Sequence, residues 1–180
     1  MKKLFAALLS LCLVLTGVAA IAEGAATTNE PTVINFSDYE AKAGATEGQF
    51  GNISETGLKM FVPAEFKDTQ LTEEAKANGT FMVLKVDGKD VAVTGQLVKI
   101  DIEKFAAVAE ADGHSTFPVI INGVKYIEFS VAENGSIASS FCLSTTDGNT
   151  LVFTFAMAES QKEAYTDVLK MMAASMQPAK

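Results

Sequence analysis

Residues 117–157, FPVIINGVKYIEFSVAENGSIASSFCLSTTDGNTLVFTFAM, decide the fold because apolar and polar side chains alternate between well-marked turns. The pair Asn122-Gly123 is typical of a type I′ hairpin turn, since both residues tolerate a positive φ. Asn134-Gly135 and Asp147-Gly148-Asn149 mark the next two turns. The stretch therefore predicts a meander of four antiparallel strands, at 117–121, 124–131, 136–144 and 150–157.

The third and fourth strands sort their side chains by size, because alternate residues of a strand point to opposite faces. One face, here called the bulky face, carries Ile137, Phe141, Leu143, Leu151, Phe153, Phe155 and Met157. The other, the small face, carries Ala138, Ser140, Cys142, Ser144, Thr150, Val152, Thr154 and Ala156. A bulky face needs a thick apolar cover, and a small face admits a helix at close range. This division predicts helices on both sides of the sheet, with a fully solvated small face as the alternative.

Further strands are predicted upstream of the meander. Residues 50–53 and 58–62 predict a hairpin whose second strand ends at Pro63, because proline has no N–H for a ladder. Residues 80–86 and 91–100 predict two more strands, which the turn pair Asp87-Gly88 joins. A short strand at 33–36, followed by a helical turn that Ser37 caps, completes the strand predictions.

Three further helices are predicted. A short helix at 71–78 stops at Gly79, and Asp101 is placed as the N-cap of a helix at 102–111. Ser160-Gln161-Lys162-Glu163 is a capping box that opens a last helix, which runs to Met176 with one apolar stripe. Together these elements predict an α+β fold with a mainly antiparallel sheet of about six to eight strands and helices packed on its faces.

The order of these elements resembles the PsbP-like fold, an α/β/α sandwich. The stretch Gly57-Leu58-Lys59-Met60-Phe61-Val62-Pro63 resembles the family's early strand with its Val-Pro ending, and the resemblance spans residues 50–176. The chain departs from the family in having no tryptophan, which would often stand near Phe66. None of the family's functional residues can be matched, so the resemblance implies the fold only. Bacterial members of such groups are often small exported proteins of undefined role.

The N-terminus predicts export. Two lysines precede an apolar run at 4–18, and Ala20-Ile21-Ala22 forms an A-x-A cleavage signal before Glu23, as in a secretory signal peptide. The run is 15 residues long, whereas roughly 20 apolar residues are needed to cross a bilayer. We therefore expect a signal peptide at 1–22 and cleavage between Ala22 and Glu23. An uncleaved anchor and lipidation at Cys12 are the alternatives.

Cleavage would leave a short leader and one domain. Residues 23–32 are small and polar, which predicts a disordered leader, and 33–180 are predicted to form a single α+β domain. Cys12 would be lost with the signal, so Cys142 would be alone and no intramolecular disulfide is expected. An exported protein without disulfides favours a bacterial envelope or the surrounding medium, and no later stretch is apolar enough to span a membrane.

The charge of the chain argues against nucleic acid as a partner. Its formal net charge is −8, and the loss of Lys2 and Lys3 would make it −10. Every basic residue is a lysine, so no planar arginine side chain is present to grip phosphate. A net negative field also repels nucleic acid.

No catalytic, metal or cofactor motif stands out, so no catalytic residue is predicted, but two residues have side chains that could carry chemistry. His114 is the single histidine and precedes the meander, so it is either a solvated loop residue or a general base. Cys142 is either a small buried filler beneath a helix or a reactive thiol. No second histidine and no cysteine at zinc spacing accompany them, so neither metal nor cofactor is predicted.

Other suggestive patterns have simpler interpretations. Asp87 with Asp90, and Asp147 with Asn149, resemble calcium loops but lack the distal bidentate glutamate, so turn chemistry explains them. The methionines near the C-terminus could bind a soft metal, but Met172 and Met176 fall on the apolar stripe of the last helix, which indicates core. The serines at 139, 140 and 144 have no Gly-x-Ser-x-Gly elbow.

The leading functional prediction is an exported, non-enzymatic binding or accessory module of the bacterial envelope or extracellular space. Its partner would be an unknown protein or small molecule, bound through the small face or the loops. One alternative is a small secreted hydrolase or thiol enzyme that uses His114 with Cys142 or a serine. The other is a structural component of the envelope.

Overall fold

The structure, a computed structural model, describes residues 30–54 and 56–179. Its strands are β1 (Thr32–Ile34), β2 (Gly48–Asn52), β3 (Leu58–Pro63), β4 (Phe66–Asp68), β5 (Thr80–Val86), β6 (Val91–Val98), β7 (Thr116–Ile121), β8 (Val124–Glu133), β9 (Ser136–Ser144), β10 (Thr150–Ala158) and β11 (Gln177–Pro178). Its helices are α1 (Glu40–Gly44), α2 (Glu73–Ala77), α3 (Ile102–Ala111) and α4 (Lys162–Ala174), with short 3₁₀ turns at Phe36–Asp38 and Glu159–Gln161.

Eight of these strands form one sheet in the order β1-β7-β8-β9-β10-β6-β5-β4. The predicted meander is confirmed, since β7 to β10 pair consecutively and antiparallel. Asn122 and Gly123 have φ values of 48° and 82°, which are the positive values that a type I′ turn requires. Only β1 joins the sheet in parallel, beside β7.

The remaining strands form a separate three-stranded sheet in the order β11-β3-β2. The predicted hairpin at 50–53 and 58–62 is confirmed as β2 and β3. The sequence did not predict β4 or β11. Both are very short, and β11 exists because the chain that leaves α4 returns alongside β3, a contact between distant residues.

The bulky face lies against α4 and the three-stranded sheet. One continuous core joins Phe153 and Phe155 of β10 to Leu169 and Met172 of α4 and to Met60 of β3. Phe153, Met60 and Met172 are fully buried. The apolar stripe predicted on the last helix is thus the surface that covers this face.

The small face lies against α3. Phe105 of this helix packs on Phe129, Cys142 and Val152, which belong to the three central strands β8 to β10. The predicted α/β/α arrangement is therefore confirmed, and a fully solvated small face is wrong.

Two predicted helix caps are also wrong. Ser160 does not open α4, because residues 159–161 form a 3₁₀ turn and the helix starts at Lys162 without a side-chain cap. Ser37 likewise lies within a 3₁₀ turn and caps nothing. Asp101 does cap α3, since its carboxylate accepts a hydrogen bond from the Lys104 N–H at 2.8 Å.

Asn122 joins three distant parts of the fold. Its side-chain oxygen accepts a hydrogen bond from the Phe36 N–H at 2.8 Å. Its amide nitrogen donates to the carbonyls of Ala174 at 2.7 Å and Met176 at 2.8 Å. The β7–β8 turn is therefore tied to the segment after β1 and to the end of α4.

Within the described residues, no helix is long and apolar enough to span a membrane. The predicted signal peptide, its cleavage site at Ala22 and Glu23, and the leader up to residue 29 lie outside the described residues.

Candidate functional site

His114 lies on the small face beside the end of α3. Its imidazole stacks on the Phe129 ring with 5.9 Å between the centroids and 25° between the planes. Its backbone N–H donates to the Ala109 carbonyl at 3.0 Å, which holds the turn after the helix. The imidazole is therefore a half-buried loop side chain that packs against an aromatic ring.

Cys142 is completely buried beneath α3. Its neighbours in that cluster are Phe105, Phe129 and Val152. The interpretation of Cys142 as a small buried filler is confirmed. A nucleophile must be reachable by its substrate and within hydrogen-bond reach of its base, and a thiol with 0% exposure does not meet the first condition.

The hydroxyl-rich strand β9 pairs its serines with other hydroxyl groups. Ser140 and Thr154 share a buried hydrogen bond of 2.9 Å on the small face. Ser139 and Ser130 share one of 2.8 Å on the bulky face. Neither of these two bonds involves His114.

The acidic residues at 87–90 and 147–149 belong to turns between strands, as turn chemistry predicted. Gly88 and Gly148 adopt positive φ values of 70° and 73°, and Thr145 closes its turn by accepting a hydrogen bond from the Asn149 N–H at 3.0 Å. The described residues contain no group of three or more His, Cys, Asp or Glu side chains that could hold a metal ion.

A different site emerges from the rows of residues that run across the bulky face. Phe117 of β7 lies opposite Glu128 of β8, which in turn lies opposite Phe141 of β9. The row continues through Phe153 of β10 to Gly95 of β6. Glu128 is the one charged side chain that β7 to β10 place on this face, and it interrupts a row of aromatic rings.

This part of the bulky face lies beyond the cover provided by α4, which packs on β10 and β3. Phe117 is 45% exposed, and Ser130 is exposed as well. The edge strand β1 begins at Thr32, opposite Val119, so no strand of residues 30–54 or 56–179 pairs with the edge of β7 at Phe117. We call Phe117, Glu128, Ser130 and Ser139 the open strip.

Glu128 is partly buried in the open strip and makes no hydrogen bond or ion pair with any described residue. Burial raises the pKa of its carboxyl above the ordinary value, because removal from water disfavours the charged form. Most partly buried carboxylates have a partner that offsets this penalty. Among the described residues, therefore, none offsets the charge of Glu128 in the open strip.

Tyr126 occupies the next position of β8 on the same face. Its side chain is 2% exposed, and its hydroxyl has no hydrogen-bond partner among the described residues. Burial raises the pKa of Tyr126 to about 12. A buried hydroxyl without a partner costs about 1–3 kcal/mol. Glu128 and Tyr126 are thus neighbouring polar groups that no described residue pairs with.

The sequence analysis missed this site although the signal was present. In a two-residue hairpin, residues at equal distances from the turn lie opposite each other. Counting outward from Asn122-Gly123 pairs Phe117 with Glu128, and counting from Asn134-Gly135 pairs Glu128 with Phe141. The alternation along β8 places Glu128 on the bulky face with Tyr126 and Ser130.

No protein-family model matches the chain, and no curated protein matches it either. Among solved structures, the solution structure of cyanobacterial PsbP (CyanoP) from Synechocystis superposes with a TM-score of 0.51 and 13% sequence identity. That match covers 87% of this chain and 99% of CyanoP. The chain has a PsbP-like fold. The order of elements predicted from the sequence therefore identified the PsbP-like architecture correctly.

Two other solved structures are similar at lower scores. LpqN of Mycobacterium tuberculosis, described as involved in cell envelope biogenesis, has a TM-score of 0.45 and 11% identity over 84% of this chain and 100% of LpqN. The Saccharomyces cerevisiae Ran-binding protein Mog1p has a TM-score of 0.41 and 11% identity over 74% of this chain and 96% of Mog1p. Neither likeness assigns a role to a residue of the PsbP-like chain.

Proposed function

We propose that this PsbP-like protein is an exported, non-enzymatic binding or accessory module of the bacterial envelope or extracellular space, and that it holds its ligand at the open strip. The observation that carries the binding role is Glu128, a partly buried carboxylate between Phe117 and Phe141 with no described partner. A ligand that supplies the missing partner would offset the cost of burying this charge.

The geometry of the other candidate residues supports a non-enzymatic role. The Cys142 thiol is enclosed under α3, and the His114 ring stacks on Phe129. A thiol or serine enzyme needs a nucleophile and a base assembled at an accessible point. The open strip contains a carboxylate and two serines that bond across strands, whereas His114 and Cys142 belong to the small face.

Export is supported by the pattern of residues 1–23, with its charged start, short apolar run and A-x-A signal. N-terminal sequencing of the protein recovered from the extracytoplasmic fraction tests it. We expect the chain to begin at Glu23. Recovery of a chain that still begins at Met1, in the cytoplasmic fraction, would overturn export and leave the binding role to be judged separately.

A thermal-shift screen of small molecules tests binding, since a ligand that binds only the folded state raises the apparent midpoint. The screen is run on the parent protein, on Glu128→Gln and on Glu133→Gln as the matched control. Glu133 is an exposed glutamate of the same strand, opposite Ser136. We expect at least one compound to stabilise the parent and Glu133→Gln but not Glu128→Gln. If every stabilising compound acts equally on all three, the open strip is not the binding site.

A further inference from the structure

From the row of Phe117, Glu128 and Phe141 we infer that the open strip binds a small ligand through a primary ammonium group. This deepens the proposed function and rests on it, because a strip that bound no ligand would bind no amine either. The Glu128 carboxylate and the exposed Phe117 ring beside it lead to this ligand class.

The carboxylate sets the sign of the ligand's charge. Glu128 has no ion pair with a described residue, and the whole chain carries a formal net charge of −8, so the surrounding field attracts cations. A divalent metal ion requires several oxygen ligands, whereas the open strip offers one carboxylate. A single ammonium group needs only one, which makes an organic cation the better match.

The exposed ring of Phe117, opposite Glu128, also favours an ammonium group. Counting from the Asn134-Gly135 turn, Glu128 and Phe141 form a non-hydrogen-bonded pair, the type in which side chains lie closest together. Ring faces attract cations, and the attraction strengthens as the cation loses water. The fold uses this interaction elsewhere, because the Lys59 ammonium lies 5.7 Å from the centroid of the Phe50 ring.

The Glu128 carboxylate also favours a primary over a quaternary ammonium. A primary ammonium has three N–H donors, which the carboxylate and water can accept. A quaternary ammonium has none and would leave the partly buried carboxylate without a hydrogen bond.

NMR titration of the isotope-labelled protein tests the inference. The probe is n-butylammonium, with n-butanol as its neutral counterpart and tetramethylammonium as the cation without N–H donors. We expect saturable shifts of the backbone amides of Phe117, Glu128 and Phe141 with n-butylammonium, at least about tenfold weaker binding of tetramethylammonium, and no saturable shift with n-butanol. Equal responses to n-butylammonium and n-butanol would overturn the ammonium assignment.

Variants connect the shifts to the proposed contacts. Glu128→Gln keeps the shape of the side chain and removes its charge, and we expect the affinity for n-butylammonium to fall at least about tenfold. Glu133→Gln removes the same charge from the opposite face of β8 and should leave the affinity unchanged. Tyr126→Phe changes only a hydroxyl that is buried beside the open strip and should leave the affinity unchanged. An unchanged affinity in folded Glu128→Gln contradicts the inference.

The NMR titration and the thermal-shift screen together distinguish an error in the ammonium assignment from an error in the proposed function. If n-butylammonium produces no shifts in the open strip while another compound stabilises the protein through Glu128, the ammonium assignment is wrong and the proposed function stands. If no compound acts through Glu128 in either experiment, both are wrong.

Discussion

Phe153 and Glu128 belong to one row across one face of the same sheet, separated only by Phe141, yet they have opposite surroundings. Phe153 is fully buried beneath the cover of the bulky face, with the Phe81 ring at a centroid distance of 6.1 Å. Glu128 lies where this cover ends, and its neighbour Phe117 is 45% exposed. Strand geometry is the same at both positions. The eight-stranded sheet is therefore divided by its cover. Where α4 and the three-stranded sheet lie over it, its side chains form core, and where they do not, its side chains form the candidate site.

The largest effect is expected from truncating an aromatic ring in the covered part. Phe153→Ala should lower the free energy of unfolding by about 3–5 kcal/mol, because it leaves a cavity in a closed core. Phe117→Ala, in the open strip of the same row, should cost less than about 1 kcal/mol, since water already reaches that ring. Urea unfolding of both variants measures the contrast. Similar losses would mean that the open strip is part of the core.

A second comparison concerns two Asn-Gly turns with the same backbone conformation. Asn122 and Asn134 have φ values of 48° and 52°, which glycine adopts without strain. Asn122→Gly removes three hydrogen bonds that tie the turn to Phe36 and to the end of α4, and should cost about 1–3 kcal/mol. Asn134→Gly, at an exposed turn, should change stability by less than about 0.5 kcal/mol. Equal effects in urea unfolding would show that Asn122 acts only through its φ.

Thiol labelling compares the cover of the two faces. Cys142 is buried under α3, so a thiol reagent should modify it only when the structure opens, and much more slowly in the native than in the denatured protein. In a Cys142→Ala background, Ser130→Cys places a thiol on the open strip, where labelling should be fast in the native protein. Mass spectrometry of the peptides that carry residues 130 and 142 gives both rates. Rapid native labelling at residue 142 contradicts its burial.

The smallest effect is a pH dependence that comes from Glu128. Its folded-state pKa is raised by burial, so its contribution to stability is greatest below the ordinary glutamate pKa of about 4.3 and is lost as the pH rises through the raised value. Glu128→Gln should therefore be more stable than the parent at neutral pH, by less than about 1 kcal/mol. The difference should disappear at acidic pH, where the parent carboxyl is protonated.

Denaturation midpoints of the parent, Glu128→Gln and Glu133→Gln at several pH values measure this dependence. Glu133→Gln should follow the parent profile throughout, because Glu133 is exposed. A difference between Glu128→Gln and the parent that grows toward acidic pH would show that the carboxylate has a stabilising partner in the fold.

Local patterns predicted most of the fold. Asn122-Gly123, Asn134-Gly135 and the alternation along β9 and β10 predicted the meander, and Asp101 was correctly identified as the cap of α3. These features act within a few residues, so the sequence displays them directly. The prediction that Ser160 caps α4 was wrong because a capping box is only a local preference. In the structure a 3₁₀ turn occupies these residues before α4. The strands β4 and β11 were missed because their few residues become strands only by pairing with distant ones.

The candidate site, like the fold, is only partly predictable from local patterns in the sequence. The sequence contains enough information to place Glu128 between Phe117 and Phe141, because two turns fix the strand registers on either side of β8. The sequence does not indicate how far the cover of the bulky face extends, because that depends on where α4 and β3 lie above the eight-stranded sheet. His114 and Cys142 attracted attention because their side chains are reactive in general, and burial under α3 accounts for Cys142.

By itself, the sequence determined the strand meander, the registers at its Asn-Gly turns, the division of its faces and the acidic charge, since each follows from local backbone preferences or composition. The tertiary structure alone decided that Asn122 also ties the turn to α4, that Cys142 is enclosed, and that no described residue pairs with Glu128. These outcomes depend on contacts between residues far apart in the chain, and only the packed fold specifies which side chains are covered and which remain open.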